Sequence, residues 1–430
     1  MSTDLANHIQ NTPLVDTHEH LDREHVWLDD GPDILQDLFG NYVPADLNTA
    51  GASPDAMKRL MDGSDPDIAG RFEGIRDAWD TTQFTGYGEA VRLIAEHAYG
   101  IDELTGANIA SAQEKIKMLR RPGERFRLLH DVANLDHTQT DDKVWECAPD
   151  SSGPDFFLYD LSWRSFCNGE IELEQIHAET GIEVVDLRTL RQGIEAIFAK
   201  HAPTAIAVKA QHAYSRTLNW IERNDVEASA ALRKVLTQPA EEIDVETQLC
   251  LGDWCWARGV EQSIEHNLPF KIHTGYYAGN DRMPISRIPA GNMCDLFARY
   301  LDAKFVLMHI SYPYTDELVA LAKHYRNIWV DLCWAWSIDP YSSRDFLRRF
   351  LHAVPSNKLF AFGGDTHWPT SAMAYAIQAR NEIRRALEAE IADGYMTEAQ
   401  AMQIATRIMR DNQYACFDVE GTRANIRAAA

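Results

Sequence analysis

Short apolar runs alternate with longer helical patterns along the carboxy-terminal two thirds of the chain. The apolar runs predict strands at residues 13–16, 156–161, 205–209, 270–273, 305–309, 328–332 and 359–362, with a weaker one near residues 143–147. The helical patterns between them include residues 189–200, 248–266, 288–301 and 315–325. Repeated strand–helix units predict a parallel sheet covered on both faces. Eight such units predict an α/β fold, the (β/α)8 TIM barrel, whose reactive groups lie at the carboxyl ends of the strands.

One region interrupts this alternation. Residues 21–142 contain no convincing strand pattern, whereas helical patterns recur there, for example at residues 86–99 and 111–119. We interpret residues 1–430 as a single barrel domain in which residues 21–142 form a helical insertion after the first strand, covering the barrel mouth. A separate helical domain is the alternative.

Composition and charge restrict the classes of partner. The chain has 430 residues, of which 45% are hydrophobic and 25% charged, and its formal net charge is −24. These fractions are typical of globular proteins rather than disordered ones. An acidic surface repels phosphate backbones and anionic lipids. We therefore expect a small-molecule substrate, no nucleic acid and no membrane as partners, with a homo-oligomer left open.

The chain lacks the sequence marks of export. No apolar run reaches the roughly 18 residues that a membrane-spanning helix needs. The first residues carry Asp4 and no basic flank, which argues against a signal peptide. The seven cysteines are scattered without CxxC spacing, so neither a disulfide framework nor a thiolate zinc site is indicated. We expect a cytoplasmic protein.

The first predicted strand leads into two histidines. His18 and His20 are separated by one residue, and residues two apart in an extended chain point to the same side. Two neutral imidazoles so placed can bind one metal ion. An HxH pair also arises by chance, so it needs support from the rest of the chain.

That support comes from four other predicted strands. Their carboxyl ends carry Lys209, His273, His309 and Asp365. Burying polar groups costs free energy unless partners or a metal satisfy them. A cation at the barrel mouth would satisfy all of these residues together with the first histidine pair.

The order HxH, Lys, His, His, Asp resembles the amidohydrolase superfamily of metal-dependent barrels, from residue 14 to about residue 418. More narrowly, the chain is similar to the amidohydrolase-related (amidohydrolase 2) branch, which includes the amidohydrolase domain of glutamine-synthetase-like fusion proteins. The segments that carry this resemblance are KAQHAYSR at 209–216, HTG at 273–275, HISYPY at 309–314 and the stretch 358–365 ending in GGD. The long helical region after the first strand also resembles the distantly related uronate isomerases.

The resemblance implies roles for the strand-end residues. His18 and His20 would bind the first metal, and His273 would be a further ligand. His309 would either bind a second metal or hydrogen-bond the reacting oxygen of the substrate. Asp365 would touch the metal and act as general base towards its water. The expected ion is divalent, with zinc first and manganese as the alternative.

Lys209 decides the number of metal ions. In binuclear superfamily members the lysine of the fourth strand is carboxylated and bridges two metals. We expect one ion, with a second held through carboxylated Lys209 as the alternative. An unmodified Lys209 could instead steady a carbonyl or carboxylate, or extend to solvent.

Other residues are candidates for substrate binding. Arg216, with Tyr214, could clamp a carboxylate through its planar guanidinium, although a structural ion pair is the alternative. Trp334 could wall the pocket or simply pack. His367 lies where a loop would shape the site, and Arg23 could reach an anionic substrate.

These features favour a metal-dependent hydrolase acting on an amide, lactone or related carbonyl of a small, carboxylate-bearing substrate. A uronate-isomerase-like aldose–ketose isomerase of an acid sugar is the alternative, as is a metal-dependent decarboxylase. A non-catalytic metal-binding barrel module is the alternative of another class, although such a module predicts a broken ligand set and Asp365 is in place.

Overall fold

Parallel strands form one sheet whose spatial order follows the chain. The computed structural model describes residues 4–429, and its strands are β1 (Leu14–Glu19), β2 (Leu135–Thr140), β3 (Phe157–Ser162), β4 (Ala205–Ala210), β5 (Phe270–Ile272), β6 (Phe305–Leu307), β7 (Ile328–Asp331) and β8 (Leu359–Phe360). Each strand pairs in parallel with the next. The segment after β8 then returns to β1, since Thr17 N donates to Phe362 O at 3.0 Å. The predicted (β/α)8 TIM barrel is confirmed.

Helices lie in every connection between these strands except that between β2 and β3, and also before β1 and after β8 in the described residues. Before β2 they are α1 (Asp4–Asn11), α2 (Glu24–Asp29), α3 (Ile34–Phe39), α4 (Val43–Thr49), α5 (Pro54–Leu60), α6 (Ile68–Glu73), α7 (Arg76–Thr82), α8 (Gly86–Tyr99), α9 (Gly106–Ala112), α10 (Ile116–Leu119) and α11 (Glu124–Arg127). Between β3 and β6 they are α12 (Arg164–Asn168), α13 (Leu173–Thr180), α14 (Leu187–His201), α15 (Asp225–Thr237), α16 (Val245–Glu265) and α17 (Cys294–Arg299). The remainder are α18 (Thr315–His324), α19 (Ala335–Ile338), α20 (Pro340–Ala353), α21 (Pro369–Ala392), α22 (Glu398–Thr406), α23 (Asn412–Cys416) and α24 (Val419–Ala429). Among residues 4–429, none of these helices combines the length and apolarity that crossing a bilayer requires.

The second strand is not where the sequence pattern placed it. The weak run near residues 143–147 forms no strand, and β2 lies instead inside the range 21–142 that we assigned to helices. The reason is that β2 is polar yet buried. Its His137 is fully buried and bonds Asp136 at 2.8 Å and Gln139 at 3.2 Å. A buried strand made mostly of polar residues leaves no apolar run to detect.

Helices α2 to α11 lie between β1 and β2, and two of them, α3 and α8, pack against the long helix α21. The buried carboxylate of Asp37 on α3 accepts hydrogen bonds from Tyr99 on α8 and from Thr370 on α21, both at 2.6 Å. One carboxylate thus ties two helices of this region to the barrel. That the region is an insertion covering the mouth stays a proposal, for which these contacts are support.

The barrel interior has an apolar floor and a charged middle layer. Near the amino-terminal ends of the strands, buried apolar side chains pack together, namely Leu158, Ala207, Val306, Phe360 and Phe417. Above them the fully buried Lys271 of β5 donates to both oxygens of Asp160 on β3, at 2.8 and 2.9 Å. The same ammonium donates to Thr17 O on β1 at 2.7 Å. One lysine therefore links three strands directly beneath the first predicted metal ligand, His18.

Lys271→Met should destabilise the protein strongly, because it leaves the Asp160 carboxylate buried without its counter-ion. Removing one partner of a buried pair costs about 3–5 kcal/mol, whereas replacing both by apolar residues is close to neutral. Urea unfolding of Lys271→Met and of the double variant Lys271→Met/Asp160→Leu measures the difference. Equal losses of unfolding free energy in the two variants would contradict an uncompensated charge as the cause.

Candidate metal centre

Three side chains from opposite ends of the chain converge at the carboxyl ends of β1 and β8. Ligand atoms of His18, His20 and Asp365 all lie within 4.8 Å of one another, and all three residues are buried. Nε2 of each histidine is 3.3 Å from Oδ1 of Asp365. Within the described residues, His20 Nε2 and Asp365 Oδ1 are buried without a hydrogen-bond partner. Unpartnered buried polar atoms of these types fit a divalent cation, which would satisfy them together.

Local backbone features aim these three side chains. His18 O, at the end of β1, accepts a hydrogen bond from Asp365 N at 2.9 Å, which brings the two ligands side by side. Gly364 allows this approach, since a Cβ on Gly364 would lie 2.0 Å from an oxygen of Glu19. Nδ1 of His20 bonds the carbonyl of Asp141 at 2.6 Å. A carbonyl partner requires the proton on Nδ1, which leaves Nε2 as the ligand atom.

The pKa values of the side chains in this cluster are shifted towards the protonation states that bind a metal ion. Burial lowers the pKa of His18 well below its usual value, and the nearby Lys209 ammonium adds to this effect. Burial also lowers the pKa of His20. Burial alone would raise the pKa of Asp365, but the surrounding histidines, His18 first, hold it well below its usual range. Neutral imidazoles and an ionised carboxylate are the forms that bind a metal ion.

Lys209 points into the same centre. Its side chain is fully buried on β4, and Nζ lies 3.0 Å from His18 Nε2. The alternative in which Lys209 extends to solvent is therefore wrong. Its carboxylation and a second metal ion stay predictions.

His309 lies next to Asp365, and His273 lies next to His309. Nε2 of His309 is 3.6 Å from Asp365 Oδ2 and 3.0 Å from His273 Nδ1. Nε2 of His273 in turn bonds the carbonyl of Tyr276 at 3.0 Å. The structure thus brings His309 to the carboxylate and places His273 behind it, outside the close group of three ligand atoms. Burial lowers the pKa of His309 to about 4, so its imidazole is neutral near pH 7.

Aromatic side chains surround these histidines on one side. The buried Trp334 ring lies 5.7 Å from the His309 ring, and the Tyr214 ring lies 4.9 Å from the His273 ring. Sequence reasoning missed Tyr42, whose hydroxyl donates to the backbone carbonyl of Asp365 and whose ring packs 4.3 Å from Trp334. Tyr42 lies among the helices after β1 rather than at a strand end, so the signal that marked the other residues was absent.

Arg216 forms a structural ion pair, which was the alternative to binding a substrate carboxylate. Its guanidinium is 6% exposed and pairs with Asp253 on α16 at 2.6 Å. It also donates to the carbonyls of Cys167 at 3.1 Å, Thr217 at 3.0 Å and Asn219 at 3.3 Å. Because each guanidinium nitrogen already has a partner, Arg216 is not positioned to clamp a substrate.

Arg23 and His367 instead share a cavity of about 260 Å³ with His20. The His367 ring stacks 5.8 Å from the His20 ring and is exposed to solvent. Arg23 lies over the Tyr159 ring at 4.3 Å and contacts Asp142 at 3.5 Å. It also donates to the carbonyls of Ala148 at 3.2 Å and Pro149 at 3.4 Å. A small molecule in this cavity would reach His20 directly.

Known proteins resemble the chain in sequence and in fold. The amidohydrolase family model (Amidohydro_2) matches residues 194–412, just over half of the chain. Protein fluG of Emericella nidulans is 26% identical over 229 residues, half of this chain, and the match spans only 26% of that relative's length. The structure is similar to uronate isomerase from Thermotoga maritima (TM-score 0.77, 15% identity, 96% of each chain). It is also similar to glucuronate isomerase from Caulobacter crescentus (TM-score 0.78, 16% identity, 97% of this chain and 93% of that chain).

The family match begins in α14 and ends in α23, so it contains Lys209, His273, His309 and Asp365 at the carboxyl ends of their strands. The structures match over nearly the whole length and support the same barrel. By its motifs, its barrel and this family match, the chain belongs to the amidohydrolase family.

Proposed function

We propose that the protein is a metal-dependent hydrolase that cleaves an amide, lactone or related carbonyl bond of a small molecule. The convergence of His18, His20 and Asp365, with buried atoms that lack partners, is the observation that carries this proposal. Members of the amidohydrolase superfamily bind divalent metals. We propose zinc as the metal here, with manganese as the alternative. When bound, the ion supplies positive charge that polarises a carbonyl group and acidifies a water molecule.

The side chains of the site would have different roles in metal binding and in proton transfer. His18, His20 and Asp365 would hold the ion, with His273 and Lys209 as further candidate ligands. Asp365 is ionised and would accept a proton from water and return it to the leaving group. His309, neutral and 3.6 Å from that carboxylate, would hydrogen-bond the reacting oxygen of the substrate.

The substrate would occupy the cavity beside His20. Since Arg216 is paired with Asp253, recognition of a substrate carboxylate would fall to Arg23, which lines this cavity. Arg23 would exchange its long contacts with Asp142 and Pro149 O, at 3.5 and 3.4 Å, for the substrate. Trp334 and Tyr214 would limit the space on the opposite side of the histidines. A cavity of about 260 Å³ suits a small molecule rather than a polymer.

A second candidate function is isomerisation of an acid sugar. The observation that favours it is the likeness to uronate isomerases along 96–97% of this chain, which includes the helical region before β2. In that reaction Asp365 would move a proton between adjacent carbons instead of activating water. The two functions share the metal centre and differ in what the cavity holds.

His18→Ala and His20→Ala should each remove stoichiometric metal from the purified protein, because each deletes one of a few ligand atoms at a shared centre. Elemental analysis and the thermal shift on adding Zn²⁺ or Mn²⁺ measure the loss. His97→Ala, an exposed histidine on α8, is the matched control and should keep its metal. Normal metal content in both site variants would exclude them as ligands.

Asp365→Asn should keep the fold but lower kcat by about 10²–10⁴-fold, the contribution typical of a general base. The matched control is Asp295→Asn, an exposed aspartate on α17. Steady-state kinetics on the substrate identified by screening would measure both variants. A rate in Asp365→Asn equal to that of the control would remove Asp365 from the chemistry.

A substrate screen separates the two candidate functions. Amide and lactone panels should show hydrolysis, whereas D-glucuronate should stay unchanged when ketose formation is followed by NMR. Ketose formation with no turnover on either panel would replace the hydrolase by the isomerase.

The variant Arg23→Gln should raise KM for an acidic substrate about tenfold, because it removes a charge-assisted hydrogen bond.

A further inference from the structure

Asp365 has a left-handed backbone conformation, with φ at +58°. Aspartate tolerates this region better than most residues but still adopts it uncommonly. Such conformations persist only where neighbouring structure enforces them. The direction of the Asp365 carboxylate therefore depends on what holds the peptide groups on either side.

Strand β1 supplies most of these restraints. Asp365 N donates to His18 O at 2.9 Å. Thr366 N and Oγ1 both donate to Glu19 Oε2, at 2.6 and 3.0 Å. The carbonyl oxygen of Asp365 is held differently, because its hydrogen bond comes from the Tyr42 hydroxyl. The helical region between β1 and β2 thus completes the set of restraints on Asp365.

Tyr42 is itself held firmly in place. Its ring packs on Trp334 at 4.3 Å and on Tyr87 at 5.6 Å. Nearby, Gly40 lies so close to Trp368 that a Cβ on Gly40 would come within 2.7 Å of the indole. A tyrosine hydroxyl is protonated at neutral pH, so Tyr42 can donate this hydrogen bond.

We infer that Tyr42 is a positioning residue of the metal centre. By holding the Asp365 carbonyl, its hydroxyl keeps the carboxylate aimed at Nε2 of His18 and His20. The inference rests on the proposed metal centre and adds to it a contribution from the helical region. It assigns no contact between Tyr42 and the reacting atoms.

The test compares Tyr42→Phe with Tyr87→Phe. Both substitutions remove a hydroxyl from a ring in the same aromatic cluster, since Tyr87 also packs on Trp334, at 6.1 Å. Only the first removes the donor to the Asp365 carbonyl. The probe is Co²⁺, whose visible spectrum reports coordination geometry, and its affinity is measured by titration of the metal-free protein.

Tyr42→Phe should bind Co²⁺ about three- to tenfold more weakly, the range expected for one lost hydrogen bond, and with an altered spectrum. Tyr87→Phe should match the wild type in both respects. Circular dichroism and thermal unfolding of the two variants verify that each is folded. A purely structural role for Tyr42 would change stability without changing the spectrum.

Two results would overturn the inference while leaving the metal centre intact. One is a Tyr42→Phe spectrum and affinity equal to the wild type. The other is an equal loss in both variants, which would assign the effect to ring packing. Failure of the wild-type protein to bind Co²⁺ would instead overturn the proposed function, and the role of Tyr42 with it.

Discussion

A buried carboxylate held among imidazoles is the interaction on which this structure depends. Asp365 lies 3.3 Å from both His18 and His20 and 3.6 Å from His309, with little access to solvent. An ionised carboxylate in such a place is costly unless positive charge or donors surround it. The fully buried Lys209 next to His18 supplies some of that charge. A divalent cation would supply the rest, so burial and chemistry at this centre point to the same requirement.

Much of the barrel could be predicted because buried parallel strands have nearly continuous apolar sequences. Seven of the eight strands were found in this way within the described chain, and their carboxyl ends carried the polar residues that the fold then gathered. The exception, β2, is instructive. Four of its six residues, from His137 to Thr140, are polar and fully buried, so the strand is buried without being apolar. Hydrophobicity reports burial only where burial is achieved by apolar groups.

The candidate site was predictable to the extent that strand ends define it. His18, His20 and Asp365 follow from position in the barrel, whereas the fate of Arg216 depends on Asp253, whose proximity no local pattern reveals. His273 was placed correctly at its strand end, yet its ring contacts His309 rather than the close group of ligand atoms. Tyr42 is a contact between distant segments. Such contacts come from tertiary packing, which spacing along the chain does not encode.

The single Lys271 ammonium that links β1, β3 and β5 has a consequence for how the barrel can vary. Because the Lys271 ammonium bonds groups on all three strands, none of them can change register alone. A register shift of one strand would have to be matched by the others, or it would leave Lys271 or Asp160 buried without its partner. Insertions should therefore accumulate in the loops and helices, where this protein already carries its long helical region. The loops and helices can therefore change while the barrel keeps His18, His20 and Asp365 in the same arrangement.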